Sequence, residues 1–153
     1  MKLKIGDPAP MFVATTTDGG RVSLSDYFGT KLVLYFYPMD DTPGCTKQAC
    51  SLRDHYREIR GRGADVLGVS TQDAESHQRF TEKYQINFPL VADTDSAVAH
   101  AYGAIGGGLI GAAKSLFGVA NRVTFIIDES GRIAHIIEAP DCANHADEVL
   151  KFL

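Results

Sequence analysis

The sequence predicts an α/β fold with a central mixed β-sheet flanked by helices and an N-terminal β-hairpin. Residues 31–37 have the sequence KLVLYFY, an almost continuous apolar run that is typical of a strand buried on both faces. Strand and helix patterns alternate after it, and a strand–turn–strand pattern over 123–137 and a helix close the chain. Such alternation favours one sheet with helices on both faces. Because the 153 residues contain no repeat and no linker, we expect a single domain over residues 1–153.

Local patterns define the individual elements. The tripeptide DGG at 18–20 is a hairpin signal between two short strands. Thr42 is a good helix N-cap, and Pro43 suits the first helical position after it. We predict strands at 11–16, 21–24, 31–37, 64–70, 88–92, 123–127 and 132–137, and helices at 42–60, at 73–84, from 94–96 onward and at 144–153.

The composition narrows the classes of partner. The formal net charge is -4 at pH 7, whereas a protein that binds nucleic acid needs a basic face for the phosphates. The first ten residues, MKLKIGDPAP, lack the apolar core of a signal peptide. No apolar run reaches the roughly 20 residues of a membrane-spanning helix. We therefore expect a cytoplasmic protein with neither nucleic acid nor a membrane as its partner.

Two of the three cysteines lie five residues apart, at Cys45 and Cys50. In a reducing compartment, closely spaced cysteines are more often catalytic, redox-active or metal-binding than structural. Neither cysteine belongs to a C-x-x-C motif, and the five histidines form no short-spaced pair, which disfavours a metal site. The spacing therefore favours thiol chemistry, and we expect no bound metal.

Cys45 falls in the first turn of the helix predicted over 42–60, just beyond a buried strand. The unpaired backbone N–H groups and the positive end of the helix dipole favour an anion there, and the thiolate is the nucleophilic form of cysteine. Sites in open α/β sheets tend to lie beyond the carboxyl ends of the strands. The position predicts a reactive thiol, although position alone also allows a small, buried and inert one.

The motif P-x-x-x-T-x-x-C, from Pro38 to Cys45, resembles the active-site signature of the peroxiredoxins. The longer segment TPGCTKQAC at 42–50 is similar to the bacterioferritin comigratory protein branch, also called peroxiredoxin Q. The similarity extends to IGDPAP at 5–10, to LVLYFYP ending at Pro38, and to RVTFIID at 122–128. This resemblance implies a thioredoxin-like fold and the reduction of hydrogen peroxide and organic hydroperoxides without a cofactor.

The resemblance also implies a role for each residue of the motif. Cys45 would be the peroxidatic cysteine, and Thr42 would hydrogen-bond its thiolate and the incoming peroxide. Arg122 would stabilise the thiolate and polarise the O–O bond, and Pro38 would shield the site from bulk water. From the residues alone, Thr42 is also a plain N-cap and Arg122 an exposed charge on a strand. Gln48, about one turn after Cys45, either orients Arg122 or lies on a solvated helix face.

Cys50 resembles the resolving cysteine of members of this branch whose two cysteines are five residues apart. A sulfenic acid on Cys45 would condense with the thiol of Cys50 to form a disulfide. In an α-helix, however, five residues rise about 7.5 Å and turn about 140°, which separates the Cα atoms by roughly 8.6 Å. A disulfide spans at most about 7 Å between Cα atoms. We therefore predict that the start of the helix unwinds before the disulfide forms, although a buried structural thiol is the alternative for Cys50.

Three further features receive weaker expectations. Cys142 lies outside the signature and is expected to be a bystander, with backup resolution or intermolecular pairing as alternatives. The segment 102–120, YGAIGGGLIGAAKSLFGVA, departs from the family by being glycine-rich and apolar, and we expect it to pack or to form an ordinary loop. An exposed apolar patch for dimerisation or for bulky hydroperoxides is the alternative. We expect Asp40 and Asp41 to form a solvated turn.

The function that these observations favour is a thiol peroxidase with two working cysteines, re-reduced by thioredoxin or a similar dithiol. A thioredoxin-fold disulfide reductase or isomerase is the second hypothesis, weakened by the missing C-x-x-C motif. The third is not an enzyme but a redox-sensing or chaperone-like binding protein that uses a slow Cys45–Cys50 switch. We expect a monomer, with a weak homodimer as the alternative.

Overall fold

The computed structural model describes residues 2–105 and 120–153. Its strands are β1 (Val13–Thr15), β2 (Arg21–Ser23), β3 (Lys31–Phe36), β4 (Ala64–Ser70), β5 (Leu90–Ala92), β6 (Val123–Ile127) and β7 (Ile133–Ile137). Its helices are α1 (Pro43–Asp54), α2 (Tyr56–Gly61), α3 (Ala74–Tyr84), α4 (Ala97–Ala101) and α5 (His145–Leu150), with 3₁₀ turns at Leu24–Tyr27 and Cys142–Asn144. In this part of the chain no helix is both long enough and apolar enough to cross a lipid bilayer.

The sheet is mixed, as predicted, and β3 occupies its centre. The strand order is β5-β4-β3-β6-β7, with β3, β4 and β5 parallel and with β6 antiparallel to both β3 and β7. The strands β1 and β2 form the separate N-terminal hairpin. Residues 32–36 of β3 are all buried, which confirms that the apolar run at 31–37 is a strand covered on both faces.

Alternation along β3 divides the core between the two faces of the sheet. Leu32, Leu34 and Phe36 belong to a hydrophobic cluster on one face. Val33 and Tyr35 point to the opposite face, into a second cluster that includes Cys45 and the apolar residues of α1. The side chain of Cys45 is therefore part of the second core, directly over the central strand.

The single helix predicted over 42–60 is two helices in the structure, because the helical hydrogen bonding is interrupted at His55. The imidazole Nδ1 of His55 lies 2.9 Å from the carbonyl oxygen of Ser51, which a continuous helix would reserve for the His55 backbone N–H. That N–H bonds instead to the carbonyl of Leu52, which tightens the turn. The closing helix likewise differs from the prediction, because it is preceded by the 3₁₀ turn and spans only α5. The predicted segment 102–120 lies mostly outside the described residues.

Candidate active site

Cys45 occupies the first turn of α1, as predicted from the sequence. Thr42 holds the N-cap position with extended backbone angles, and Pro43 is the first helical residue. The side chain of Thr42 does not cap the helix, since its hydroxyl donates to the carbonyl oxygen of Met39 at 2.8 Å. The lone pairs of this hydroxyl therefore remain able to accept a hydrogen bond. Cys45 itself is 1% exposed.

Arg122 reaches Cys45 because of the register of the sheet. Its neighbour Val123 pairs with Phe36, so Arg122 lies beyond the carboxyl end of β3, where α1 begins. Its Nη2 donates to the Cys45 Sγ at 3.3 Å, and its Nη1 donates to the Gln48 Oε1 at 2.7 Å. A cation thus faces the sulfur, and the amide oxygen of Gln48 fixes its direction. Arg122 is half-buried rather than the exposed strand charge that its sequence context allowed.

Two buried polar groups, one on α1 and one on β3, lack hydrogen-bond partners among the residues described. One is the Nε2 of Gln48, and the other is the hydroxyl of Tyr35. Both side chains are almost fully buried. Burial raises the pKa of Tyr35 well above its ordinary value, and negative charge on the neighbouring Cys45 adds to the rise. Two buried donors, on residues that neighbour Cys45 and Arg122, therefore have no acceptor among the described residues.

The segment 38–42, here called the pre-cysteine loop, is hydrogen-bonded to the last residue of β4 and to the residues that follow it. The carbonyl oxygen of Pro38 accepts hydrogen bonds from the Ser70 hydroxyl at 3.3 Å and from the Gln72 side-chain amide at 3.2 Å. The Gln72 Oε1 accepts from the backbone N–H of Asp40 at 3.0 Å. Pro38 is half-buried, and these hydrogen bonds to its carbonyl hold it in place.

Asp40 makes the strongest attachment of this loop, and the sequence reasoning missed it. Its Oδ2 lies 2.6 Å from the Nδ1 of His77 and 2.7 Å from the Ser76 hydroxyl, and its Oδ1 accepts from the Tyr37 hydroxyl at 2.6 Å. The other ring nitrogen of His77 lies 2.8 Å from the carbonyl oxygen of Val91. Both ring nitrogens of His77 thus face oxygen atoms, of a carboxylate and of a carbonyl.

The expectation of a solvated Asp40–Asp41 turn is wrong for Asp40 and correct for Asp41. The Asp40 side chain is only 5% exposed. Burial alone would raise the pKa of Asp40, but the hydrogen bond and charge of His77 outweigh burial and lower it. Asp41 is exposed, and its carboxylate binds the Lys83 ammonium at 2.8 Å. No local sequence signal could reveal the Asp40 pairing, because His77 lies on α3.

The structure places the other two cysteines differently around Cys45. Cys50 is half-buried in α1, which is uninterrupted from Pro43 to Asp54 and so keeps Cys50 and Cys45 apart. Cys142, expected to be a bystander, lies beside the first turn of α1. A Cβ atom built on Gly44 would be 3.6 Å from the Cys142 Sγ and 3.1 Å from the Arg122 Nη2. All three thiols are free, and the described residues contain no cluster that could hold a metal ion.

Comparison of the sequence with known proteins places the chain in a family. The profile of the AhpC/TSA family matches residues 5–136. Peroxiredoxin Bcp of Escherichia coli (strain K12) is 42% identical over 155 residues, covering 99% of this chain and 96% of that protein. Chloroplastic peroxiredoxin Q of Oryza sativa subsp. japonica is 39% identical over 156 residues, covering 99% of this chain and 67% of that protein.

Solved structures agree with the sequence comparison. A peroxiredoxin Q variant from Xylella fastidiosa superposes with a TM-score of 0.89 at 30% identity, covering 99% of this chain and 95% of that one. Peroxidoxin BcpB from Mycobacterium tuberculosis superposes with a TM-score of 0.85 at 31% identity, covering 98% and 96%. The bacterioferritin comigratory protein of Xanthomonas campestris, described for its alkyl peroxide reduction activity, gives 0.82 at 31% identity, covering 92% and 88%. Together with the thiol–guanidinium geometry, these matches show a thioredoxin-like chain of the AhpC/TSA family, in the Bcp and peroxiredoxin Q group of thiol-dependent peroxidases.

Proposed function

We propose that Cys45 is the peroxidatic cysteine and that Arg122 activates it. The observation that carries this proposal is the 3.3 Å contact between the Arg122 Nη2 and the Cys45 Sγ. The guanidinium favours the thiolate, which is the attacking form. As the thiolate bonds to one peroxide oxygen, the O–O bond breaks and negative charge develops on the departing oxygen. A fixed cation at this point stabilises the transition state more than the ground state.

Thr42 and Pro38 shape the place where the peroxide binds. The Thr42 hydroxyl gives its hydrogen to the Met39 carbonyl, so it is oriented to accept a hydrogen bond from the O–H of a hydroperoxide. This refines the role expected for Thr42, because one hydrogen cannot serve both Met39 and the thiolate. Pro38, held by the hydrogen bonds to its carbonyl, limits the access of bulk water to the buried sulfur.

Cys50 then resolves the sulfenic acid on Cys45. The S–O bond breaks, the S–S bond forms, and water leaves with the thiol proton. With α1 intact the two Cα atoms stand roughly 8.6 Å apart, too far for a disulfide, so the first turns of α1 unwind before the bond forms. The missing side-chain cap at Thr42 lowers the cost of this step, since a side-chain cap contributes about 1 kcal/mol to a helix.

The reaction cycle closes with a dithiol reductant, which we propose to be thioredoxin or a similar protein that attacks the exposed disulfide. The substrates are hydrogen peroxide and alkyl hydroperoxides. The Xanthomonas campestris relative, with its alkyl peroxide reduction activity, supports the second class. We further propose that the protein works in the cytoplasm as a monomeric single domain without a cofactor, and that neither nucleic acid nor a membrane is a partner.

A coupled assay tests the peroxidase activity. Purified protein receives hydrogen peroxide together with thioredoxin, thioredoxin reductase and NADPH, and the loss of NADPH is followed. Cys45→Ser should abolish turnover, because serine cannot form the sulfenic acid. The matched control is Ser51→Cys, which adds a thiol elsewhere in α1 of the Cys45→Ser protein and should not restore activity. Normal turnover by Cys45→Ser would overturn the mechanism.

Peptide mapping under non-reducing conditions tests the role of Cys50. Wild-type protein treated with peroxide should yield a Cys45–Cys50 disulfide peptide, and far-UV circular dichroism should show a loss of helical signal on oxidation. If no Cys45–Cys50 peptide appears, Cys50 is not the resolving cysteine. If the disulfide forms with the helical signal unchanged, the unwinding of α1 is wrong.

A further inference from the structure

We infer that Cys142 is a second resolving thiol, able to capture the sulfenic acid of Cys45 while α1 remains helical. The inference rests on the proposed function, because it requires Cys45 to be the oxidised residue. It concerns a cysteine that lies far from the signature in sequence and that the mechanism above leaves unused.

The first observation is the arrangement around Gly44. The absent side chain of this glycine leaves a space that two groups enter from the same side. A Cβ atom there would lie 3.6 Å from the Cys142 Sγ and only 3.1 Å from the Arg122 Nη2. That same Nη2 lies 3.3 Å from the Cys45 Sγ. Gly44, the residue before Cys45, therefore has beside it both the Cys142 sulfur and the guanidinium that contacts the Cys45 sulfur.

The second observation is that the two candidate resolving cysteines lie on different elements of the fold. Cys50 shares α1 with Cys45, so only unwinding of the helix brings the two sulfurs together. Cys142 begins the separate 3₁₀ turn Cys142–Asn144, which packs beside α1. It is half-buried and follows the exposed residue Asp141. Capture by Cys142 therefore requires a shift of this turn and not the unwinding of α1.

The chemistry of this second route is balanced without a further reactant. The Cys142 sulfur attacks the sulfenic sulfur of Cys45, the S–O bond breaks, and the oxygen leaves as water with the thiol proton. Cys142 is oxidised and the sulfenic sulfur is reduced, which gives a Cys45–Cys142 disulfide. The proposed dithiol reductant then reduces this disulfide as it would the first.

The consequence is a protein in which two thiols compete for one sulfenic acid. Until α1 unwinds, Cys50 is out of reach, and a second peroxide could convert the sulfenic acid to sulfinic acid. Capture by Cys142 takes only the part of the sulfenic acid that Cys50 does not reach during this interval, and so protects Cys45 against irreversible oxidation.

The test compares Cys50→Ser with the double variant Cys50→Ser/Cys142→Ser. Each is treated with an equimolar amount of hydrogen peroxide, free thiols are blocked, and peptides are mapped by mass spectrometry without reduction. Cys50→Ser should yield a Cys45–Cys142 disulfide peptide and retain thioredoxin-dependent consumption of NADPH. The double variant should lose both and accumulate sulfinic acid at Cys45.

The matched control places a thiol at the opposite end of β6. Ser130→Cys in the double-variant background lies in the exposed turn after β6, whereas Arg122 precedes that strand. This triple variant should behave like the double variant, because a cysteine there is remote from the site. Rescue by Ser130→Cys would overturn the inference, since proximity to Gly44 would then be irrelevant.

Two outcomes separate this inference from the proposed function. If Cys45→Ser is inactive while Cys50→Ser and the double variant oxidise identically, Cys142 is not a resolving thiol and the peroxidase proposal stands. If Cys45→Ser retains turnover, the peroxidase mechanism fails and the second route fails with it. A Cys45–Cys142 peptide from Cys50→Ser with α-helical circular dichroism retained supports both.

Discussion

The two sides of Cys45 are held in opposite ways. On the N-terminal side, the pre-cysteine loop is bonded at its Pro38 carbonyl, at the Asp40 backbone and at the Asp40 carboxylate. On the C-terminal side, the first turns of α1 have no side-chain cap. The buried Nε2 of Gln48 on α1 and the buried hydroxyl of Tyr35 on β3 have no partner within the described ranges. The loop is thus fixed by satisfied polar groups, and the helix start rests on unsatisfied ones.

This contrast explains how one short segment can both bind a peroxide precisely and then rearrange. Binding needs Thr42 and Pro38 in fixed positions, and a buried ion pair supplies that rigidity. Resolution needs the start of α1 to open, and unsatisfied buried donors reduce the stability of the closed form. We therefore expect the rearrangement to begin after Thr42, with the loop unchanged.

The largest expected effect comes from breaking the fixed side. Asp40→Asn should lower the free energy of unfolding by about 3 kcal/mol, because it leaves His77 buried beside an uncharged group. Urea denaturation measures the loss. Asp41→Asn is the matched control, since it changes the adjacent carboxylate whose ion pair with Lys83 is exposed, and its effect should be much smaller. Equal losses in the two variants would contradict the assignment of rigidity to the buried pair.

The same ion pair predicts a dependence on pH. The pKa of Asp40 is lowered from 3.8 by folding, so its contribution to stability is present above 3.8 and is lost as the pH falls through the folded value. The stability difference between wild type and Asp40→Asn should therefore shrink as the pH falls below 3.8 through the folded value. Urea midpoints measured across this range check the sign, and a difference that grows in acid would contradict it.

Elements that depend on local patterns are predicted from the sequence more closely than a break that depends on a single side-chain contact. The strand over residues 64–70 matches β4 in both bounds, and Cys45 lies in the first helical turn, because apolar runs and cap residues act locally. The break at His55 depends on one imidazole reaching a carbonyl of the preceding turn, and periodicity does not encode that contact.

The site contacts that the sequence missed all join distant segments. His77 meets Asp40 across 37 positions of the chain, and Cys142 meets the Gly44 turn from beyond β7. Their proximity depends on the sheet order and on the packing of α3 and of the 3₁₀ turn against the site. The family resemblance predicted that Arg122 belongs to the site. It gave no role to Cys142, which lies outside the family signature.

A smaller effect is expected where Arg122 is oriented. Gln48→Leu removes the oxygen that accepts from the Arg122 Nη1, and a hydrogen bond to a charged group contributes about 1.5 kcal/mol. The kcat/KM for hydrogen peroxide should fall about tenfold. Gln48→Glu keeps an acceptor and should preserve most of the rate. Lys47→Leu, a change at the exposed neighbour on α1, is the control, and an equal loss in that variant would contradict a role for Gln48 in positioning.

The smallest expected effect on stability concerns two neighbouring tyrosines, Tyr35 in β3 and Tyr37 directly after it. Tyr35→Phe removes a buried hydroxyl that has no partner among the described residues, so it should raise the free energy of unfolding by about 1 kcal/mol. Tyr37→Phe removes the hydroxyl that donates to Asp40 at 2.6 Å and should lower the free energy by about 1.5 kcal/mol. The rings are equally buried and stacked on each other, so the packing change is matched. Opposite signs in urea denaturation would confirm that the polar groups are satisfied on the loop side only. Losses of the same size would mean that the Tyr35 hydroxyl is also bonded, and α1 would then lack the instability on which its opening depends.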